Sequence, residues 1–225
     1  LKEHLIGRVR NIEDAMVSDK LKPLDANTLR GDDDTFTIVV ARRFAQYKRS
    51  DMLLKILDDL MNEIKWLDGG YGRKIKIQII FAGKAHPHDG GGKDIIKRIN
   101  KIADGSAEVY FLPEYDINMA KQLIQLADIW QNNPLVPLEA SGTSGEKGAA
   151  NGVQSVSTND GWIRESDPES TVYLIGETLE EKYMALHKLD SNTPEYAELL
   201  DEITELELAE MREVFTGLLR AKYTY

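Results

Sequence analysis

Apolar runs of strand length alternate with helical stretches along most of this chain, and that alternation limits the fold more than any other feature. "TFTIVVA" (35–41) is a β-branched apolar run. "RSDMLLKILDDLMNEIKWL" (49–67) follows with helical periodicity, Met52, Leu53, Ile56, Leu60 and Ile64 sharing a face and Ser50 standing as a candidate N-cap. The pattern then repeats. "KIKIQIIFAG" (74–83) reads as a strand, "GKDIIKRINKIA" (92–103) as a helix and "AEVYFLP" (107–113) as a strand; "INMAKQLIQLA" (117–127) is a helix leading into the strand-like "DIWQN", and "VQSVST" is a further strand. Strands separated by helices at this spacing imply a parallel, doubly wound α/β sheet with right-handed crossovers. In such sheets, sites gather at the carboxyl ends of the strands.

The two ends of the chain differ from this pattern. Residues 1–17 read as a short amphipathic helix, joined to the first strand by a polar connection punctuated by Pro and Gly. The last fifty residues carry helical apolar spacing without a strand between them, and Pro194 suits a first helical turn. The expected organisation is an α/β domain over 1–175 and a helical extension over 176–225. The extension would pack on the sheet or on a neighbouring domain. At 225 residues a substantial core can be buried.

Charge and composition exclude several classes. A net charge of −10 argues against a general nucleic-acid binder, which presents a basic face. No apolar run approaches the roughly 18–20 residues of a membrane-spanning helix. With no cysteine, disulfides and thiol catalysis are excluded, and a reducing compartment, the cytoplasm, is expected. The opening "LKEHLIGRVRN" has neither a Met start nor a signal core, and reads like the middle of a longer protein.

Against this acidic background, clustered cations stand out, and each cluster follows a strand. "ARRFAQYKR" places Arg42, Arg43, Lys48 and Arg49 within eight residues, an arrangement suited to a phosphate or equally to a solvated basic face. "GKAHPHDGGGK" follows the second strand with Lys84, and Gly90 to Gly92 form a flexible approach to the next helix. His86 and His88 match no zinc spacing, and no metal is expected. The glycines spell neither a dinucleotide fingerprint nor a P-loop. The third cluster, "EASGTSGEKGAANG" (139–152), sets one acid and one amine among small residues. Gly142 and Gly145 allow close backbone approach, Ser141, Thr143 and Ser144 offer hydroxyls, and a helix can begin in the run from Gly145. Lys147 could contact a phosphate or trap an aldehyde, while an ordinary Gly-rich loop is the alternative.

Three segments in order, "RRFAQYKR", "FAGKAHP" and "VYFLPEYDINMAKQLI..ADIW....PLEASGTSGEKGAANGVQSVSTNDGW", resemble the C-terminal domain of the glycogen and α-glucan phosphorylases, closest to their bacterial and archaeal branch. The resemblance runs from about residue 35 to 163. It implies a Rossmann-like domain forming the C-terminal half of a GT-B fold, with pyridoxal phosphate as cofactor. In that family the "EASGT" acid is followed eight positions later by the lysine that holds the cofactor as a Schiff base, here Glu139 and Lys147. The resemblance further implies that Lys84, Tyr115, Gly142, Thr143 and Ser144 surround the cofactor. Arg43 and Lys48 would contact the substrate phosphate with Arg42 close by. Glu139 would bind sugar hydroxyls, and Ala140, Ser141 and Gly142 would line the substrate side. Arg43, Lys48, Glu139 and Lys147 are the implied catalytic set.

The implied reaction is reversible phosphorolysis of an α-1,4-glucan by inorganic phosphate to α-glucose 1-phosphate. The implied partners are an N-terminal GT-B domain and further copies of the same chain. Two other readings share the architecture: a nucleotide-sugar-dependent glucan synthase, and a non-catalytic glucan-binding or regulatory half. Glu146 stands where the resemblance leads one to expect an apolar or small residue, and a carboxylate aimed at the cofactor would compete with its phosphate.

Overall fold

The computed structural model describes residues 34–72, 74–106, 108–113, 115–167 and 172–224. The helix expected over 1–17, and most of the connection that follows it, lie outside these residues.

Six parallel strands form one sheet in the order β3-β2-β1-β4-β5-β6. They are β1 (Thr35–Ala41), β2 (Lys76–Ala82), β3 (Val109–Leu112), β4 (Ile129–Asn132), β5 (Gln154–Thr158) and β6 (Val172–Ile175). The helices are α1 (Leu57–Tyr71), α2 (Gly90–Ala103), α3 (Ile117–Leu126), α4 (Thr143–Ala149), α5 (Glu180–Leu186) and α6 (Pro194–Tyr223). The fold is thus the doubly wound, Rossmann-like α/β class that the strand–helix alternation implies.

β1 is buried along its whole length because helices cover both faces, which is why its sequence is a run of apolar residues and two buried threonines with no charged position. Its side chains still divide by parity. Phe36, Ile38 and Val40 join one core with Leu60, Ile64, Ile95, Met211 and Phe215 from α1, α2 and α6. Val39 and Ala41 join a second core with Met119, Leu123 and Trp130. Register follows the pleat: Ile38 pairs with Ile79 on one side and with Ile129 on the other.

Three local expectations change. The 49–67 helix begins as a 3-10 turn over Met52–Ile56 before α1, and Ser50 does not cap it. Its hydroxyl is buried without a partner among the described residues, and the N-cap position is Asp51. Gly90 to Gly92 are no flexible approach but the first turn of α2, where the capping Asp89 carboxylate accepts from the Gly92 amide at 2.8 Å. β6 was not anticipated; its short "VYLI" is only half-buried at the sheet edge.

The C-terminal segment packs on the sheet through α6, whose Thr193 cap accepts from the Tyr196 amide and is followed by Pro194. A third core joins Leu135 and Val136, just before Glu139, to Leu179, Tyr183, Leu186 and Ile203. The loop that carries the acid of the third cluster therefore rests on α5 and α6. No described helix is long and apolar enough to cross a membrane.

Candidate functional site

The strand order reverses between β1 and β4, and in open parallel sheets the ligand crevice lies outside the carboxyl ends of the strands at such a switch point. The segment after β1 first runs beside the segment after β2. The Arg42 amide donates to the Ala82 carbonyl at 2.9 Å and the Phe44 amide to the Lys84 carbonyl at 2.8 Å. This places Arg43 and Lys84, both exposed, on neighbouring strand exits.

The four cations of the first cluster take four different roles. Arg42 is buried, and its guanidinium donates to the Gln131 carbonyl of β4 at 2.5 Å and the Lys48 carbonyl at 3.3 Å, bridging the switch point. Burial pulls its pKa down to about 10, against the opposing pull of Glu139, so it is still a cation at neutral pH. Arg43 points outward and its side chain has no partner among the described residues. Lys48 ends a 3-10 turn (Gln46–Lys48), and its Nζ lies 2.5 Å from Glu139 Oε2. Arg49 turns away from the crevice and ion-pairs with Glu207 of α6.

Glu139 is itself held from behind. Its amide donates to Asp160 Oδ2 at 2.8 Å, and the Trp162 amide donates to the Ser141 carbonyl at 2.8 Å, so the loop after β5 grips the loop after β4. Gly161, at φ 60°, makes that grip possible, because a Cβ there would lie 2.3 Å from the Ser141 carbonyl oxygen. Ala140 and Thr143 are exposed and Ser144 half-buried, while Gly142 starts α4 in a left-handed conformation (φ 95°). α4 begins two residues earlier than the run from Gly145 suggested.

Lys147 projects from α4 half-buried, with no side-chain partner among the described residues. Glu146 beside it accepts from the Ser141 hydroxyl at 2.8 Å. Its carboxylate is thus engaged within its own loop, in a first helical turn where negative charge is favoured.

Asn132 was not singled out in the sequence. It ends β4 nearly fully buried, yet neither of its side-chain polar atoms has a hydrogen-bond partner among the described residues. Leaving both unsatisfied in a native interior is costly unless a ligand supplies the bonds. By strand alternation Asn132 shares the Trp130 face, on which Tyr115 packs with its own hydroxyl without a partner among the described residues. Burial lifts the Tyr115 phenol to about 12, so it is a neutral hydrogen-bonding group. The signal that could have revealed Asn132 is a Gln-Asn-Asn run closing a strand that is otherwise apolar.

The chemistry of these residues is compatible with a cofactor that carries an aldehyde and a phosphate. Among the described residues the donor set contains the Lys147 amine without a partner, Arg43 without a partner and Lys48 paired only with Glu139, and polar atoms of Asn132 and Tyr115 that lack hydrogen-bond partners. No group of three or more His, Asp or Glu placed to hold a metal occurs among the described residues. His86 and His88 form an exposed turn in which the His88 amide donates to His86 Nδ1 at 3.2 Å.

Comparison with known proteins supports one family. The model of the family described as carbohydrate phosphorylase matches residues 9–222. A glycogen phosphorylase of Aquifex aeolicus (strain VF5) is 39% identical over 167 residues, covering 72% of this chain and 23% of that protein. A glycogen phosphorylase of Mycobacterium tuberculosis (strain ATCC 25618 / H37Rv) is 44% identical over 134 residues, 58% of this chain and 15% of that protein. A maltodextrin phosphorylase of Thermococcus litoralis is 36% identical over 149 residues, 65% of this chain and 17% of that protein. The matched stretch thus spans less than a quarter of the length of these relatives. With the family match covering nearly the whole chain, the chain belongs to the carbohydrate phosphorylase family.

Proposed function

We propose that this chain is the cofactor-binding, C-terminal part of an α-glucan phosphorylase, which cleaves α-1,4-glucan with inorganic phosphate and releases α-glucose 1-phosphate. The observation that carries the reading is the Lys147 amine, without a side-chain partner among the described residues and eight positions after the Glu139 that pairs with Lys48. Lys147 holds pyridoxal phosphate, with Tyr115, Asn132, Lys84, Gly142, Thr143 and Ser144 around it. When bound, pyridoxal phosphate supplies a phosphate group that exchanges a proton with the substrate phosphate.

The remaining chemistry falls to the chain's own groups. Two phosphates brought close together repel, and Arg43, Lys48 and Lys84 offset that repulsion in a domain that is otherwise acidic. Arg42 acts from beneath, tying the Lys48 carbonyl to β4. Glu139, held by Lys48 and by Asp160 through its amide, accepts hydrogen bonds from sugar hydroxyls. Ala140, Ser141 and Gly142 carry little side chain, so backbone groups come close to sugar and phosphate together. No nucleophilic carboxylate of the glycosidase kind is needed.

In this reading residues 1–175 form the cofactor and phosphate domain, with 176–225 as a helical extension. The acceptor-side groups come from an N-terminal GT-B domain, and the complete enzyme is a cytoplasmic homo-oligomer. The 225-residue chain alone is inactive, and glucan phosphorolysis by that purified chain would refute this last point.

Borohydride reduction of the intact protein, supplied with cofactor and followed by peptide mass mapping, tests the central claim. A pyridoxyl phosphate adduct on Lys147, absent from Lys147→Ala, is expected. An unmodified Lys147 peptide would overturn the phosphorylase reading in favour of a nucleotide-sugar transferase or a non-catalytic glucan binder.

A further inference from the structure

Arg49 follows Lys48 directly, yet the two side chains leave the backbone in opposite directions. Lys48 reaches Glu139 in the crevice, while Arg49 is directed into the protein, its side chain 11% exposed against a Glu207 that is fully buried. The reversal is made by the backbone: Arg49 is at φ 45°, the one non-glycine at positive φ among the described residues. A left-handed arginine persists only where its surroundings over-determine it, and such residues cluster at functional sites.

The surroundings here are specific. The Arg49 Nε donates to the Asn133 carbonyl at 3.2 Å, and one terminal nitrogen donates to the Pro134 carbonyl at 3.1 Å and to Glu207 Oε1 at 2.8 Å. The other terminal nitrogen meets Glu207 Oε2, completing a bidentate fork. The Arg49 carbonyl accepts from Asn133 Nδ2 at 3.1 Å, and the Tyr183 hydroxyl of α5 donates to Glu207 Oε1 at 2.5 Å. Beside this knot, the Leu135 amide donates to the Tyr47 carbonyl at 2.7 Å. One side chain thus joins the exit of β1, the exit of β4 and the C-terminal helices.

We infer that Arg49 is a positioning residue: by locking to Glu207, Asn133 and Pro134 it fixes the direction of Lys48 and its distance from the loop that carries Glu139. The inference rests on the reading above in which Lys48 meets the substrate phosphate. Arg49 does not touch that phosphate, since its guanidinium is committed to the carbonyls and to Glu207. Lysine cannot replace it, because an ammonium has no planar fork to satisfy a carboxylate and two carbonyls from one position.

The test compares Lys48→Ala, Arg49→Lys and Glu207→Gln in the complete enzyme that includes this chain and its N-terminal domain. The readouts are KM for inorganic phosphate, KM for glucan, kcat and the thermal melting curve. Arg49→Lys should raise the KM for phosphate at least about tenfold while leaving the KM for glucan within about twofold, since small misplacements near the chemistry carry large penalties. Glu207→Gln keeps the shape and the Tyr183 contact. It should shift phosphate KM in the same direction by less, and it provides the reading if Arg49→Lys does not fold. A lowered melting temperature with unchanged phosphate KM in both variants would make Arg49 a structural residue only and overturn the inference. An unchanged phosphate KM in Lys48→Ala would overturn the role of Lys48 itself, and the inference with it.

Discussion

The Lys48–Glu139 pair, with side chains only 10% and 8% exposed, shows how much depends on single partners in this crevice. Removing one member of a buried pair strands the other, at about 3–5 kcal/mol, whereas removing both costs less than the two single losses together. Urea denaturation of Lys48→Met, Glu139→Leu and the double variant should show this, and strictly additive losses would count against the pairing. Gly83 and Gly69 give an opposing pair of outcomes. A Cβ at Gly83 would lie 1.9 Å from the Arg42 carbonyl oxygen, so Gly83→Ala should cost ~3 kcal/mol, at the top of the overpacking range. Gly69, inside α1, has nothing within 4 Å of its Cβ position, and Gly69→Ala should stabilise by about 0.5–1 kcal/mol. Tyr115 and Tyr183 are both raised above the ordinary phenol, chiefly by burial, and Tyr183 also by the Glu207 carboxylate. Their folded values exceed the unfolded value near 10, so the stability they contribute is complete below pH 10 and is lost as pH rises beyond it. In an absorbance titration at alkaline pH, Tyr115→Phe should leave the curve unchanged up to about pH 11.

At the scale of elements, α6 ties the molecule together. It buries Ile203, Met211, Phe215 and Leu219 while its far face is charged. Phe215→Ala should therefore cost about 3–5 kcal/mol in chemical denaturation. Breaking the exposed Arg212–Asp59 pair, which links α6 to α1, should cost about 0–1 kcal/mol. Deleting 193–225 removes the cover over Leu60, Ile64 and their neighbours in the same core and takes away Glu207. The truncated chain should expose apolar surface and aggregate, and a monodisperse product in light scattering would contradict this. The small α4 shows the reverse economy: with Gly148 against Trp130 and Gly145 against Trp162, it lies close to its neighbours through missing side chains rather than through large ones.

For the whole molecule, topology gathers the chemistry. A parallel sheet delivers every strand exit to one edge, and the reversal between β1 and β4 opens a crevice there without any special sequence at that point. Four of the implied residues come from the β1 and β2 exits, Tyr115 follows β3, and the remainder belong to the loop and helix after β4. The chain carries a charge of −10, so the cations at this edge form a local feature on an acidic body.

The sequence by itself determined the strand–helix order, the parallel sheet and the edge at which a site would lie. Those depend on local signals: β-branched runs, 3.6-residue periodicity and turn residues, all readable within a few positions. It also singled out Glu139 and Lys147, one acid and one amine among small residues, whose roles the resemblance to the phosphorylases implies. Only the tertiary structure decided which way Arg49 faces, since its partner Glu207 lies 158 positions away. The same holds for Asn132, whose amide is buried and has no partner among the described residues, for Asp160, which meets Glu139 across 21 positions, and for β6, whose half-buried edge leaves a weak apolar signal. Backbone preference is local, whereas a polar group's partner is set by which distant segments the packing brings together.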